Sequence, residues 1–148
     1  MNKESVFEQL KIDEGVVYEI YLDHLGYQTF GVGHLVRKQD PEFGQDVGTP
    51  VSEERVWEAF EEDLEIAHSE CYALYGPGTF NNFPGEVQEI LVNMMFNMGR
   101  TRLSLFRNFN KALLDGDWCK ASEEMVDSKW YRQVTNRAQR LVDRMKNV

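Results

Sequence analysis

Two carboxylates, Glu14 and Asp23, stand with eight residues between them, and Thr29 follows after five more. Glu14 sits beside Asp13 and before Gly15, at the end of a stretch with helical spacing. A helix C-terminus disfavours negative charge, and burial there adds to the effect. Both act in favour of the protonated carboxyl, the form a general acid needs near neutral pH. A solvated surface acid is the plainer reading of the same position. Asp23 heads the turn Asp23-His-Leu-Gly26, where aspartate is favoured for local hydrogen bonding alone. Thr29 is an ordinary β-branched strand residue. Taken together, the two carboxyls can face one space, because the helix end, the first strand and the turn follow one another directly. One carboxyl to protonate a leaving oxygen and one to handle water or a sugar cation is the pairing that glycosidic hydrolysis requires.

The elements that must position these groups are legible from periodicity. Residues 4–14 read as a short helix, with Phe7 and Leu10 on one side and Gly15 as the stop. Residues 16–35 are rich in Val, Ile, Tyr, Phe and Thr, with glycines at 26, 31 and 33. They predict a β-hairpin with a third short strand. Residues 36–51, holding Pro41, Gly44, Gly48 and Pro50, predict a loop. Ser52 is an N-cap for a long amphipathic helix to about Leu74, marked by Val56, Trp57, Phe60, Leu64, Ala67 and Cys71. Gly76 to Gly85 predicts a break. Helices are expected at 86–98, 103–114, 117–127 and 136–146, with Asp117 and Thr135 as N-caps. The architecture expected is α+β: a small β lobe over about 15–51, a connecting helix over 52–74, and a helical lobe over 75–148 joined by helix 4–14. The two lobes are expected to flank a cleft, a common place for a ligand site.

Composition narrows the classes of function. The 148 residues suit one domain, and no apolar run approaches the ~20 residues of a membrane helix. The opening MNKESVFEQL has no apolar core of a secretory signal, so action outside the cytosol is expected to need another route. Net charge is −9, split into −12 over residues 1–70 and +3 over residues 71–148. An acidic chain is a poor candidate for nucleic acid, whose phosphates call for Lys and Arg. The more basic second half is read either as a solvated surface or as a face for an anionic polymer. His24, His34 and His68 form no HExxH or Cys/His cluster, and no Gly-rich phosphate loop occurs, so no metal and no cofactor is expected. Cys71 and Cys119 lack CxxC spacing and read as free thiols, with a bridge as the alternative.

The runs Asp13-Glu14-Gly15, Ile20-Tyr21-x-Asp23 and Gly26-Tyr27-x-Thr29-x-Gly31-x-Gly33-His34-Leu35 resemble the phage-type lysozymes, glycoside hydrolase family 24. The likeness continues in Phe60-Glu-x-Asp63, Asn93-Met-x-Phe96-x-Met98-Gly99, Ser128-x-Trp130-Tyr131 and Asn136-Arg137-Ala138-x-Arg140. The resemblance implies a lysozyme-like fold and cleavage of the β-1,4 bond between N-acetylmuramic acid and N-acetylglucosamine in peptidoglycan, with inversion. It implies Glu14 as proton donor, Asp23 as the carboxylate that positions or activates water, and Thr29 beside that water. Leu35 and Phe96 match substrate contacts. Arg137 matches an arginine that pairs with the catalytic glutamate, and His34 and Asp63 match a structural ion pair. A monomer acting on the cell wall is implied, held in the host cytoplasm before lysis and released with the help of a separate pore-forming protein. Two other classes stay open. One is a non-catalytic wall-binding module on the same fold. The other is a helical interaction protein presenting Met94, Met95, Phe96 and Met98 as a partner surface.

Overall fold

A computed structural model describes residues 1–148. Two compact units emerge: Lys3–Ile66, and Ala67–Val148 together with Met1–Asn2.

The first unit opens with α1 (Lys3–Glu14). Val6 and Leu10 are buried, and Phe7 meets Trp57 and Phe60 edge-on, each at 4.8 Å between ring centroids. Edge-to-face aromatic contacts of this kind add to simple area burial. They explain why α1, expected with the helical lobe, packs within the unit that holds the sheet. The Gly15 N–H closes α1 on the Lys11 carbonyl at 2.9 Å, with Gly15 at φ 76°. Only glycine adopts that conformation without strain, which is why the helix stops there.

Strands β1 (Val17–Leu22), β2 (Gln28–Gly31) and β3 (His34–Leu35) form an antiparallel sheet in that order, as the alternation predicts. Tyr21 pairs with Thr29 and Thr29 with Leu35, while Phe30 pairs with His34. Side chains alternate across a strand, so this register sorts them by face. Ile20, Phe30 and His34 lie buried on one face. Tyr21, Thr29 and Leu35 form a row across the other. Residues 36–52 follow as a loop tied back to β1 through the Glu19–Pro50 bridge. Helix α2 (Glu53–Tyr75) begins where Ser52 Oγ accepts the Arg55 N–H at 3.1 Å, the expected cap.

The second unit holds the rest of the helices. Expectation and structure differ here in four places. Within the expected break lies α3 (Pro77–Asn82), where proline at the first turn presets φ and Phe80 is fully buried. Helix α4 (Gly85–Ser104) is two helical segments joined at Gly99, whose φ of 80° and ψ of 167° are not helical, so the first segment stops at its expected end and a further helical stretch to Ser104 follows it. Leu103 therefore belongs to α4, and α5 (Arg107–Leu114) starts later than its periodicity suggests. After α6 (Trp118–Val126), capped by Asp117 as expected, a short α7 (Lys129–Gln133) appears. Ser128 caps it, and Trp130 anchors it in the core with its indole N–H on Asn97 Oδ1 at 2.6 Å. Thr135 is no cap for α8 (Thr135–Lys146). Its hydroxyl donates to the Tyr131 carbonyl at 2.8 Å, because the α7–α8 corner puts that acceptor within reach.

Met94, Met95 and Met98 are buried in the core of this unit. That removes the partner-surface reading, since burial leaves them nothing to present. Cys71 is buried and Cys119 exposed, and both are free thiols. Burial pushes the Cys71 thiol up to about 12, so it stays protonated and unreactive. No helix is long and apolar enough to cross a membrane.

Candidate active site

The first candidate carboxylate is the last residue of α1. Glu14 is held against the β2–β3 turn: a Cβ placed on Gly33 would lie 3.6 Å from Glu14 Oε2. Gly33 itself adopts φ 64°, so the turn needs glycine for its conformation and brings bare backbone close to the carboxyl.

The second carboxylate closes the β1–β2 hairpin. The Asp23 N–H donates to the Tyr27 carbonyl at 2.9 Å, and the Gly26 N–H to the Asp23 carbonyl at 2.9 Å. The side chain is fixed as well. Oδ1 accepts the N–H groups of Leu25 and Tyr27, both at 2.9 Å. Both donors converge on one oxygen, so the turn orients the carboxylate while Oδ2 keeps its acceptor capacity. Thr29 lies two residues beyond Tyr27, its hydroxyl donating to the Tyr27 carbonyl at 3.0 Å. Tyr27 is thus the backbone link between Asp23 and Thr29. Leu35, half exposed, ends the same row of the sheet.

Sequence reasoning passed over Tyr21. The register places it opposite Thr29 and two residues before Asp23, hence on their face. Burial first, then the charges of Asp23 and Glu14, push its phenol above the ordinary value. The signal was present in the alternation of the strand, but tyrosine in a strand excites no suspicion by itself.

A second charged cluster occupies the opposite face of the sheet and the loop. His34 is buried with Nδ1 2.7 Å from Asp63 Oδ2 and Nε2 2.8 Å from Asp40 Oδ2. Two carboxylates on both ring nitrogens call for the imidazolium, which donates from each. Burial alone would lower the His34 pKa, but the hydrogen bonds and charges of Asp63 and Asp40 together raise it. Asp40 also accepts the Arg37 N–H at 2.8 Å and meets Arg55 at 3.3 Å. Burial would raise its pKa, yet that N–H and the imidazolium hold it below the usual carboxylate range. Arg55 further grips the buried Glu42, and Arg37 reaches Asp63. Asp63 is the partner that the resemblance gives His34. Asp40 is one that spacing does not reveal, because the loop fold brings it in.

The remaining candidates lie in the second unit. Phe96 is half-buried on α4. Arg137, on α8, is buried and clamps Asn93 of α4, donating to its Oδ1 at 2.9 Å and its carbonyl at 3.1 Å. No group of three His, Cys, Asp or Glu side chains is arranged to hold a metal ion.

These features sit on a sequence with clear relatives. It is 32% identical over 154 residues to the pre-baseplate central spike protein of Enterobacteria phage T4, a match covering 93% of this chain and 27% of that protein. It is 29% identical to a probable T4-type lysozyme of Dictyostelium discoideum, covering 93% of this chain and 91% of the amoebal one. A peptidoglycan hydrolase of Pseudomonas phage phiKMV is 31% identical over 98% of this chain and 16% of its own length. The profile of the phage lysozymes matches residues 11–147, nearly the whole sequence and every candidate residue, and the mixed helix-and-sheet architecture agrees with it: the chain belongs to the phage lysozyme family.

Proposed function

We propose that this protein is a peptidoglycan hydrolase that cuts the β-1,4 bond between N-acetylmuramic acid and N-acetylglucosamine. Cell-wall hydrolysis follows from the family and from relatives named lysozyme and peptidoglycan hydrolase. The bond and the residue roles are the finer reading. The observation that carries it is the Asp23–Tyr27–Thr29 arrangement, in which the carboxylate and the hydroxyl are both held by hydrogen bonds to the backbone of Tyr27.

Glu14 is the general acid in this reading and protonates the leaving glycosidic oxygen. Asp23 is the second carboxylate. Its Oδ1 is committed to two backbone N–H groups, and Oδ2 accepts a proton from the attacking water. The Thr29 proton is committed to the Tyr27 carbonyl, so its oxygen is an acceptor too. A water that donates to both turns a lone pair toward the anomeric carbon. Attack by water opposite the departing oxygen inverts configuration, and Asp23 forms no bond to sugar. Leu35 and Phe96 are assigned as substrate contacts, Arg137 as the acid's supporting cation, and His34 with Asp63 as structural support. The whole of residues 1–148 is read as one monomeric lysozyme domain. It waits in the host cytoplasm and reaches the wall through a separate pore-forming protein.

Glu14→Gln keeps volume and removes the transferable proton. Clearing of a peptidoglycan gel is expected to fall by about two to four orders of magnitude, with unchanged circular dichroism. Proton NMR of the first wild-type products is expected to show the inverted anomer. Wild-type clearing by Glu14→Gln overturns the assignment of Glu14 as the acid, whereas binding without any clearing by the wild type itself points instead to a wall-binding module.

A further inference from the structure

The row Tyr21, Thr29, Leu35 crosses all three strands, and Asp23 and Tyr27 continue the same face along the hairpin. Three members of this face were singled out for chemistry or substrate contact, Asp23 and Thr29 by spacing and family likeness and Leu35 by the likeness alone. Tyr21 was not, although it stands at the β1 end of that row, on the strand that leads to Asp23. It stands opposite the threonine, two residues before one carboxylate, and near enough to the other that both charges act on it. Its ring is half-buried, which restricts its motion and keeps part of it open to a ligand.

We propose that Tyr21 is a substrate-binding residue of this site, its neutral phenol donating a hydrogen bond to the saccharide held between Glu14 and Asp23. The chemistry suits the place. Carboxylates and a hydroxyl whose proton is already used are acceptors, whereas hydroxyls, the ring oxygen and acetamido groups of a sugar also need donors. A phenol is a donor that carries no charge, and that of Tyr21, unlike the exposed phenol of Tyr27, stands directly opposite Thr29. Burial and the flanking acids both disfavour the phenolate, so the donor is retained across the whole pH range in which a glycosidase works. The flat ring also offers an apolar face to a sugar, the usual role of a half-exposed aromatic at a wet boundary.

The proposal rests on the reading of Glu14 and Asp23 above, and the experiment separates the two. The Glu14→Gln protein, which is expected to bind without cutting, is compared with Glu14→Gln/Tyr21→Phe. The probe is a purified tetrasaccharide of two N-acetylglucosaminyl–N-acetylmuramic acid repeats. Affinity is read by calorimetry and by the rise in Tm that the probe produces. Each variant is its own baseline for that rise, so a change in intrinsic stability does not mask the result. Loss of one neutral hydrogen bond is expected to weaken Kd by about threefold to tenfold. Tyr21→Phe in the active enzyme is expected to raise KM by a similar factor with little change in kcat. Equal Kd values and equal Tm rises for the two proteins overturn the proposal, and leave the Glu14 assignment standing. Undiminished cleavage by Glu14→Gln overturns that assignment instead, and the KM ratio of wild type and Tyr21→Phe then reports on Tyr21, an unchanged KM overturning its role.

Discussion

Residues 3–66 hold acids in two settings, on opposite faces of one small sheet. Around His34, Asp40 and Asp63 are neutralised by the imidazolium and by Arg37 and Arg55, so that charge meets charge in a buried place. On the hairpin face, Asp23 is held by neutral backbone N–H groups that converge on one oxygen. The difference separates structure from chemistry. A carboxylate locked to cations has no acceptor capacity left for a reaction, while one oriented by dipoles keeps both its charge and one oxygen. The first cluster fastens the loop of residues 36–43 to α2, and the second holds, on a hydrogen-bonded turn, the carboxylate that the proposed function uses.

Substitution at the two settings is the sharpest way to break that comparison. His34→Ala removes the imidazolium from two carboxylates, one of them almost wholly buried, and leaves only the arginines beside them. It is expected to cost about 3 kcal/mol or more in urea unfolding. Asp23→Asn keeps an acceptor oxygen for the Leu25 and Tyr27 N–H groups and loses only the charge. Its stability is expected to change by less than ~0.5 kcal/mol, since surface changes that break no such feature stay in that range. Its activity is expected to fall at least tenfold, though less than that of Glu14→Gln. A large loss of stability in Asp23→Asn with activity preserved would reverse the two assignments.

Titration gives a smaller and signed effect. The His34 pKa is raised above its ordinary 6.5 in the folded protein. Folding is therefore favoured by the imidazolium below that value, and the gain is lost as pH rises through the higher folded pKa. The Asp40 pKa is lowered below its ordinary 3.8, so its contribution is present above that value and lost as pH falls through the folded pKa. The clasp is at full strength between these limits. The groups facing His34 are Asp40 and Asp63, with Arg37 and Arg55 behind them. Arginine stays charged throughout, which leaves His34 as the group that titrates on the alkaline side. Wild-type Tm is expected to decline, as pH rises above 6.5 and through the raised folded value, more steeply than that of His34→Gln. Parallel curves for the two proteins would show that the pair contributes no pH-linked stability.

How much of this was legible in the sequence follows the same physical division. The sheet, Gly15 as a stop and the Ser52 and Asp117 caps were readable because each depends on neighbours within a few residues. Phe80 in α3 and Trp130 in α7 built helices where local signals predicted none, because burial against distant side chains outweighed propensity. Thr135 misled for the converse reason: a residue that caps helices elsewhere was taken up by a corner. At the candidate site, Glu14, Asp23 and Thr29 stood out through spacing and family likeness. Asp40 did not, since nothing local announces that a loop aspartate will fold onto a histidine six residues earlier. Tyr21 was legible in principle by alternation alone.

Long-range charge is expected to have the smallest effect, and it acts on the surplus that pairing leaves. Residues 1–70 carry five Lys and Arg against seventeen Asp and Glu, a net of −12 that includes both candidate catalytic acids. Peptidoglycan is itself anionic under the proposed function, so this field opposes encounter. Salt screens exposed charges beyond a Debye length, about 30 Å at 0.01 M and about 3 Å at 1 M. Lysis of chloroform-treated Gram-negative cells is therefore expected to rise severalfold as sodium chloride is added from very low ionic strength, then level off. A strongly cationic lysozyme should lose activity over the same range. The opposing argument is that the +3 of residues 71–148 forms the face that meets the wall. A monotonic fall in turbidity-clearing rate from the lowest salt upward would establish that and reject repulsion. The structure then names the first arginine to change. Arg100 is already paired with Glu70 at 2.9 Å, and Arg102 donates to Gln133 at 3.0 Å. Arg107 lines an open cavity of about 400 Å³ with Asn108, Glu124 and Asp127, where an arriving anion would meet it directly. Under the docking-face alternative Arg107→Ala should flatten the salt profile more than Arg100→Ala does, and under repulsion neither change should invert it.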